Sequence, residues 1–393
     1  MSDLLVGVVG AGAMGGGIAQ VAAAAGHNVV LADANAGAVE RARGIIIAAL
    51  QRQVERGKLD GTARDAIVGR IRFVDARLGG DLRLYADCGL VIEAVVEDLA
   101  VKRELFERLD AVVAPDALLA TNTSSLSIAS IASACQNVGR VLGMHFFNPA
   151  PAMPLVELIP SLASDVDAVG RVERLAVAWG KTTVVASDTP GFIVNRIARP
   201  FYGEAIRILE EGIADVPTID WAMRDIGKFR MGPFELMDFI GNDVNYAVSR
   251  SVFEGFFYDP RYKPSLTQRR LVEAGFLGRK SGRGYYDYRE GAERPRAHED
   301  AAVGQQIFER ILAMLINEAA DARFFRVASS RDIDLAMMKG VNYPKGLLAW
   351  GDELGLEWVL GWMRRLQDEY GEDRYRPSPL LKRLLRDRGR LCA

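Results

Sequence analysis

The chain has 393 residues, 49% of them hydrophobic and 25% charged, enough for two or three domains with buried cores. A formal net charge of −2 gives no electrostatic footprint for nucleic acid. Three cysteines (Cys88, Cys135, Cys392) share no ligand spacing and there are only three histidines, so a disulfide framework is excluded and a zinc site has little to be built from; a reducing, cytoplasmic compartment is expected.

In chain order, the first feature is the long uncharged stretch "LLVGVVGAGAMGGGIAQVAAAAG". It lacks a basic start, and Gly and Ala dominate it in place of Leu, Ile and Phe, which argues against a membrane span or a signal peptide. It reads instead as strand, turn and helix. "LLVGVV" suits a parallel strand buried on both faces, Gly10, Gly12 and Gly15 form G-x-G-x-x-G with Met14 inside it, and "GIAQVAAAA" is helical. A second strand, "HNVVLAD", ends in Asp33, about 20 positions past the turn. Gly10 permits the tight turn, Gly12 lets the backbone approach a pyrophosphate, and Gly15 allows helix to pack on strand. Asp33 would bind the adenosine ribose and repel a 2′-phosphate, so NAD is expected over NADP.

Farther on, "CGLVIEAVVED", "ALLATNTSSLSI" and "RVLGMHFF" read as strands whose polar tails emerge where ligands collect in open α/β sheets. That places Glu97, Ser124, Ser125 and His145 toward one crevice. Glu157 stands alone in the next apolar run. His145 and Glu157 are either a satisfied core pair or a working acid/base pair. Oxidising a hydroxyl to a carbonyl needs a base near neutral pH, and a carboxylate fixes the histidine tautomer. His27 falls in a turn and His298 in a charged stretch, so His145 is the better candidate. At Thr189-Pro190-Gly191 the texture becomes helical, and Asn195 lies in the first helix beyond it.

Seven segments, "GAGAMGGGIA", "VIEAVVED", "TNTSSLSI", "GMHFFNP", "DTPGFIVNRI", "MGPFELMDFIGND" and "FLGRKSGRGYYDY", make the chain resemble the 3-hydroxyacyl-CoA dehydrogenase family over essentially its whole length. The resemblance implies reversible NAD-linked oxidation of an L-3-hydroxyacyl-CoA to the 3-oxoacyl-CoA, in fatty-acid or aromatic-acid degradation. By it, His145 is the catalytic base and Glu157 its partner, while Ser124 holds the substrate's 3-oxygen and Asn195 completes the polar site. Glu97, Lys102 and Asn122 match positions lining the cofactor site, and Asn148 keeps the histidine loop in place. A helical hairpin from "AGAVERARGIIIAALQRQVERGKLD" would lie against the CoA moiety. The alternative is a gulonate-type dehydrogenase, which uses the same His–Glu site on a sugar acid.

Single-copy members end near "GYYDY", but this chain continues and repeats its second domain at an offset of about 114 positions. Glu204 pairs with Glu318, Asp220 with Asp334, Asp238 with Asp352 and Gly241 with Gly355; Glu309 falls opposite Asn195, so the second copy is read as non-catalytic. The expected architecture is an α/β Rossmann-type domain (1–187) followed by two tandem all-α domains (188–288 and 304–393) joined by a charged linker (289–303). Members with one copy pair through this domain, so the repeat is expected to form a pseudo-dimer inside one chain, with association of whole chains left open.

Overall fold

The computed structural model describes residues 4–74 and 80–392. The chain divides into two compact units, Met1–Thr189 and Pro190–Ala393.

The first unit is built on an eight-stranded sheet. Its strands are β1 (Val6–Val9), β2 (Val29–Ala32), β3 (Ile71–Val74), β4 (Leu90–Glu93), β5 (Leu118–Thr121), β6 (Val141–Phe146), β7 (Leu155–Pro160) and β8 (Thr182–Val185). They lie in the order β3-β2-β1-β4-β5-β6-β7-β8, the doubly wound order of a Rossmann-type domain around β1. Neighbours on successive residues feed opposite faces. Val8, Leu31 and Ile92 join one apolar cluster, and Val9, Val30 and Val91 the other, so the strands are buried on both sides and read as continuous apolar runs. Every pairing is parallel except β6 with β7. Helix α1 (Ala13–Ala24) follows β1, and the expected helical hairpin is α2 (Ala38–Glu55) with α3 (Gly61–Gly69). Three more helices, α4 (Leu99–Asp110), α5 (Ile128–Ala132) and α6 (Val166–Ala178), complete the described crossovers.

The second unit is helical. It contains α7 (Val194–Ile197), α8 (Arg199–Glu210), α9 (Val216–Trp221), α10 (Pro233–Ile240), α11 (Asn242–Gly255) and α12 (Leu266–Glu273). Beyond the charged stretch come α13 (Ala301–Phe324), α14 (Ser330–Gly340), α15 (Leu347–Leu354), α16 (Leu356–Tyr370) and α17 (Pro379–Arg386). The charged stretch is laid onto the helices: Arg294 pairs with Glu235, and the His298 amide donates to Thr218 Oγ1 at 2.9 Å.

Helix α13 is buried all round from Arg310 to Ala322 and packs along α8. Apolar side chains fill this contact, but four ionic groups cross it. Arg196 Nε donates to Glu318 at 2.7 Å, and Arg310 Nε donates to Glu204 at 2.7 Å. Each carboxylate also accepts a tyrosine hydroxyl, Tyr262 to Glu318 at 2.6 Å and Tyr375 to Glu204 at 2.9 Å. Removing four charges from water is tolerable only because each is paired and hydrogen-bonded. Two helix starts are held alike. Asp220 accepts from the amides of Phe234 and Glu235, and Asp334 from those of Leu348 and Ala349.

Candidate active site

The glycine turn is shaped by close approaches of backbone to backbone. Gly10 has φ +101°, and a Cβ there would stand 2.5 Å from the carbonyl oxygen of Ala94. A Cβ on Gly15 would stand 1.8 Å from the Gly10 oxygen, so only glycine allows α1 to start against β1. Gly12 differs: a Cβ there would meet nothing within 4 Å. Its missing side chain keeps open the space in front of the helix start. Gly12 is the N-cap of α1 and makes no side-chain cap, so the cap residue leaves the first amides of the helix to a bound pyrophosphate. Met14 lies in the first turn of this helix. Asp33, at the end of β2, accepts from the Ala11 amide at 2.7 Å and from the Asn35 amide at 2.7 Å, which sets its carboxylate beside the turn. These residues fit a dinucleotide.

His145 and Glu157 are directly opposed in the antiparallel ladder of β6 and β7. His145 Nδ1 lies 2.6 Å from Glu157 Oε2, with the histidine 6% exposed and the glutamate fully buried. Cross-strand neighbours in an antiparallel pair face the same side, so the ladder itself brings the two groups together. The imidazole also packs on the Phe147 ring, 4.6 Å between centroids. The loop after β6 is tied down by Lys181, whose Nζ donates to the carbonyls of Ala150 and Met153. Asn122 Oδ1 accepts from the Phe146 amide at 2.8 Å, anchoring the end of the histidine strand to the end of β5.

Glu97 collects a second group of residues. Its Oε1 is within hydrogen-bond reach of Thr123 Oγ1 (2.6 Å), the Ser124 amide (3.0 Å), Ser125 Oγ (3.1 Å) and Ser124 Oγ (3.3 Å). Lys102 is almost fully buried. Its Nζ lies 2.5 Å from Glu93 and 3.4 Å from Glu97. Burial would raise the Glu97 carboxyl, but Lys102 and the hydroxyl and amide donors outweigh it and hold the group below its ordinary value. Glu93 also accepts from Thr121 Oγ1 at 2.6 Å. Reading the sequence missed Glu93, Thr121 and Thr123; the signal available was an acid and a threonine at paired strand ends, Glu93 opposite Thr121. Within the first unit, Ser124 and Asn122 follow β5, and His145 ends β6 beside it. Asn195 belongs to the second unit, half-buried on α7.

A doubly wound sheet, an open glycine turn and a histidine–carboxylate pair set across two neighbouring strands define a nicotinamide-dependent dehydrogenase. The chain matches the model of the 3-hydroxyacyl-CoA dehydrogenase NAD binding domain over residues 5–189, and that of the C-terminal domain over residues 191–288 and again 307–391. It belongs to the 3-hydroxyacyl-CoA dehydrogenase family, and its cofactor is NAD. It is 40% identical to a 3-hydroxyadipyl-CoA dehydrogenase of Escherichia coli (strain K12), over 96% of each chain. A 3-hydroxybutyryl-CoA dehydrogenase of Mycobacterium tuberculosis (strain ATCC 25618 / H37Rv) is 45% identical and is matched along its whole length, but covers 73% of this chain. Among solved structures, that of a 3-hydroxybutyryl-CoA dehydrogenase from Escherichia coli K12 superposes with TM-score 0.90 at 40% identity, covering 98% of both chains. No helix among the described residues is long and apolar enough to cross a membrane.

Proposed function

We propose that His145 is the general base of an L-3-hydroxyacyl-CoA oxidation, with Glu157 as its carboxylate partner. The observation that carries this is the 2.6 Å contact between Nδ1 and Glu157 in register across β6 and β7. With Nδ1 committed to Glu157, the substrate hydroxyl proton goes to Nε2, and Glu157 steadies the imidazolium that forms. NAD, when bound, accepts the hydride leaving C3. In reverse, His145 returns the proton to the forming alkoxide. Ser124 and Asn195 supply polar hydrogens to the substrate's 3-oxygen. Gly10, Gly12, Met14, Gly15 and Asp33 hold the cofactor, with Asn122, Glu97 and Lys102 lining its site; Lys102 acts by keeping Glu97 charged.

The substrate is an acyl-CoA, and a relative that spans nearly the whole chain carries a name that specifies a distal carboxylate, 3-hydroxyadipyl-CoA. Degradation of fatty or aromatic acids, in a reducing cytoplasm that suits three unpaired cysteines, completes this reading. The names of the relatives reported above specify acyl-CoA substrates, which favours this reading over the sugar-acid alternative.

The helical unit is read as two copies of one domain, 188–288 and 304–393, joined by residues 289–303 and arranged as a pseudo-dimer. Supporting this, Arg196 and Arg310, Glu204 and Glu318, and Asp220 and Asp334 recur about 114 positions apart and make the same bonds in exchange. The second copy has Glu309 where the first has Asn195, and Glu309 is occupied by Gln305 of its own helix.

Loss of NADH absorbance on mixing with acetoacetyl-CoA tests the mechanism. Wild-type protein is expected to turn over, and His145→Ala to lose about 10²–10⁴-fold in kcat. A mutant as active as wild type would reduce His145 to a core residue.

A further inference from the structure

Several buried polar side chains in the first helical copy have no polar counterpart in the second, and four of them lie near one another. Arg199, Asn245, Ser249 and Gln268 are each at most 9% exposed. At the matching offset of about 113–114 positions stand Ala313, Val359, Met363 and Leu381, all fully buried. The same scaffold therefore packs with an apolar filling at all four positions, and the polar set is not needed to fold it. A cluster that costs desolvation and is dispensable for packing points to a ligand.

Arg199 identifies the ligand's charge. Its Nε donates to the Asn195 carbonyl at 2.7 Å, and Nη1 reaches Ser249 Oγ at 3.0 Å and the Asn245 carbonyl at 3.4 Å. Gln268 continues the network, donating to Asn245 Oδ1 at 3.0 Å. Nη2 makes no hydrogen bond among the described residues. Buried Arg196, Arg261, Arg310 and Arg374 all lie within ion-pair distance of a carboxylate; Arg199 has none among the described residues. Burial lowers its pKa, whereas carboxylates raise those of Arg196, Arg261 and Arg310. A guanidinium does not escape this by losing its proton, so the missing partner is an anion.

Arg199, Ser249 and Gln268 line a cavity of about 30 Å³, together with Arg261, Lys263 and Arg374. One water needs roughly 10–15 Å³ by this measure, so the space holds two or three waters or one small anion, and a phosphate is too large. The one carboxylate in the wall, Glu204, is engaged through Oε1 by Arg310 and Tyr375, while its Oε2 is buried with no hydrogen-bond partner among the described residues, so the site's positive charge comes from Arg199, Arg261, Lys263 and Arg374 against this one acid. We infer that the cavity beside Arg199 is a binding site for a small monovalent anion, a halide or a carboxylate group. Two sources fit: a free ion, or the distal carboxylate of an acyl chain, the latter resting on the acyl-CoA reading above.

The test begins with crystals of the full chain grown in sodium bromide, with anomalous data collected at the bromine edge. A bromide peak within hydrogen-bond reach of Arg199 Nη2 is expected, with a bromide-dependent rise in melting temperature over that in sodium fluoride. Water alone in the cavity, with no such rise, would overturn the site, and needs no catalytic activity to be seen. Arg199→Met should lose both signals. Should that variant fold poorly, the fourfold change Arg199→Ala, Asn245→Val, Ser249→Met and Gln268→Leu, which copies the apolar filling, takes its place. Competition by bromide against 3-hydroxyadipyl-CoA but not 3-hydroxybutyryl-CoA, with roughly tenfold or greater loss of kcat/KM for the adipyl substrate alone in Arg199→Met, assigns the anion to the substrate. Bromide binding without competition assigns it to a free ion.

Discussion

Residues 191–288 and 307–391 match one domain model, yet they solve burial differently. Both keep the arginine–glutamate exchange that joins α13 to α7 and α8, and both start a helix on a buried aspartate. They part where the first stretch buries Arg199, Asn245 and Gln268 and the second buries Ala313, Val359 and Leu381. What the two share is what the fold needs. What only the first carries is free to serve chemistry, and Asn195 against Glu309 falls on that same side of the division.

The largest effect is expected on the shared part. Arg310→Met leaves Glu204 buried without its cation and should cost about 3–5 kcal/mol, and Arg196→Met should cost less, because Arg261 Nη1 also lies 3.3 Å from Glu318; replacing Arg310 and Glu204 together by apolar residues of similar volume should recover most of the larger loss. Chemical denaturation of the three variants measures this, and a cost for Arg196→Met as large as that for Arg310→Met would show that Arg261 does not share the charge of Glu318. Next comes the unshared part. Asn195→Glu, the residue found in the second stretch, should lower kcat about 10²–10³-fold with little change in stability, whereas Glu309→Asn should leave turnover as it was. Steady-state kinetics beside melting curves separates the two.

The smallest effect sharpens the comparison of the two aspartates. Burial raises Asp220 to about 7, with Glu235 adding to it against hydrogen bonds from Tyr286 and two amides. Burial also raises Asp334, against the Leu348 and Ala349 amides. A buried acid with a raised pKa holds its proton in the folded chain after the unfolded chain has released it. Stability contributed by Asp220 should therefore fall as pH rises from about 4 to about 7, and flatten above. Melting temperatures between pH 5 and pH 8 should show a slope of about 2–4 °C that Asp220→Asn reduces and does not abolish, because Asp334 remains.

The sequence carried the cofactor turn well, because glycines forced by backbone contact and an acid at a fixed spacing are local features. Gly10, Gly15 and Asp33 stand where the motif puts them. His145 and Glu157 were legible as a pair for a different reason: rarity made the histidine conspicuous and an apolar run made the glutamate so. That they meet through an antiparallel step in an otherwise parallel sheet was not legible, since strand direction leaves no mark on residue type. Lys102 shows the limit of hydrophobic pattern. A lysine is read as solvated, and only the fold reveals Glu93 waiting below it. Arg196 on α7 and Arg310 on α13 were missed in the same way, although the glutamates they hold had been paired by the repeat.

The opposition of His145 and Glu157 across two strands bears on how this enzyme can change. Strand pairing, and not the intervening segment from 147 to 154, sets their separation. The segment supports the site, since Phe147 packs on the imidazole and the carbonyls of Ala150 and Met153 hold Lys181, but strand register decides whether the His145–Glu157 pair forms. A shift of one residue in either strand turns one partner to the opposite face and ends it. The meeting of the two side chains therefore depends first on strand register, so loop exchange in this protein should leave Phe147, Ala150 and Met153 in place and keep the number of residues in each strand.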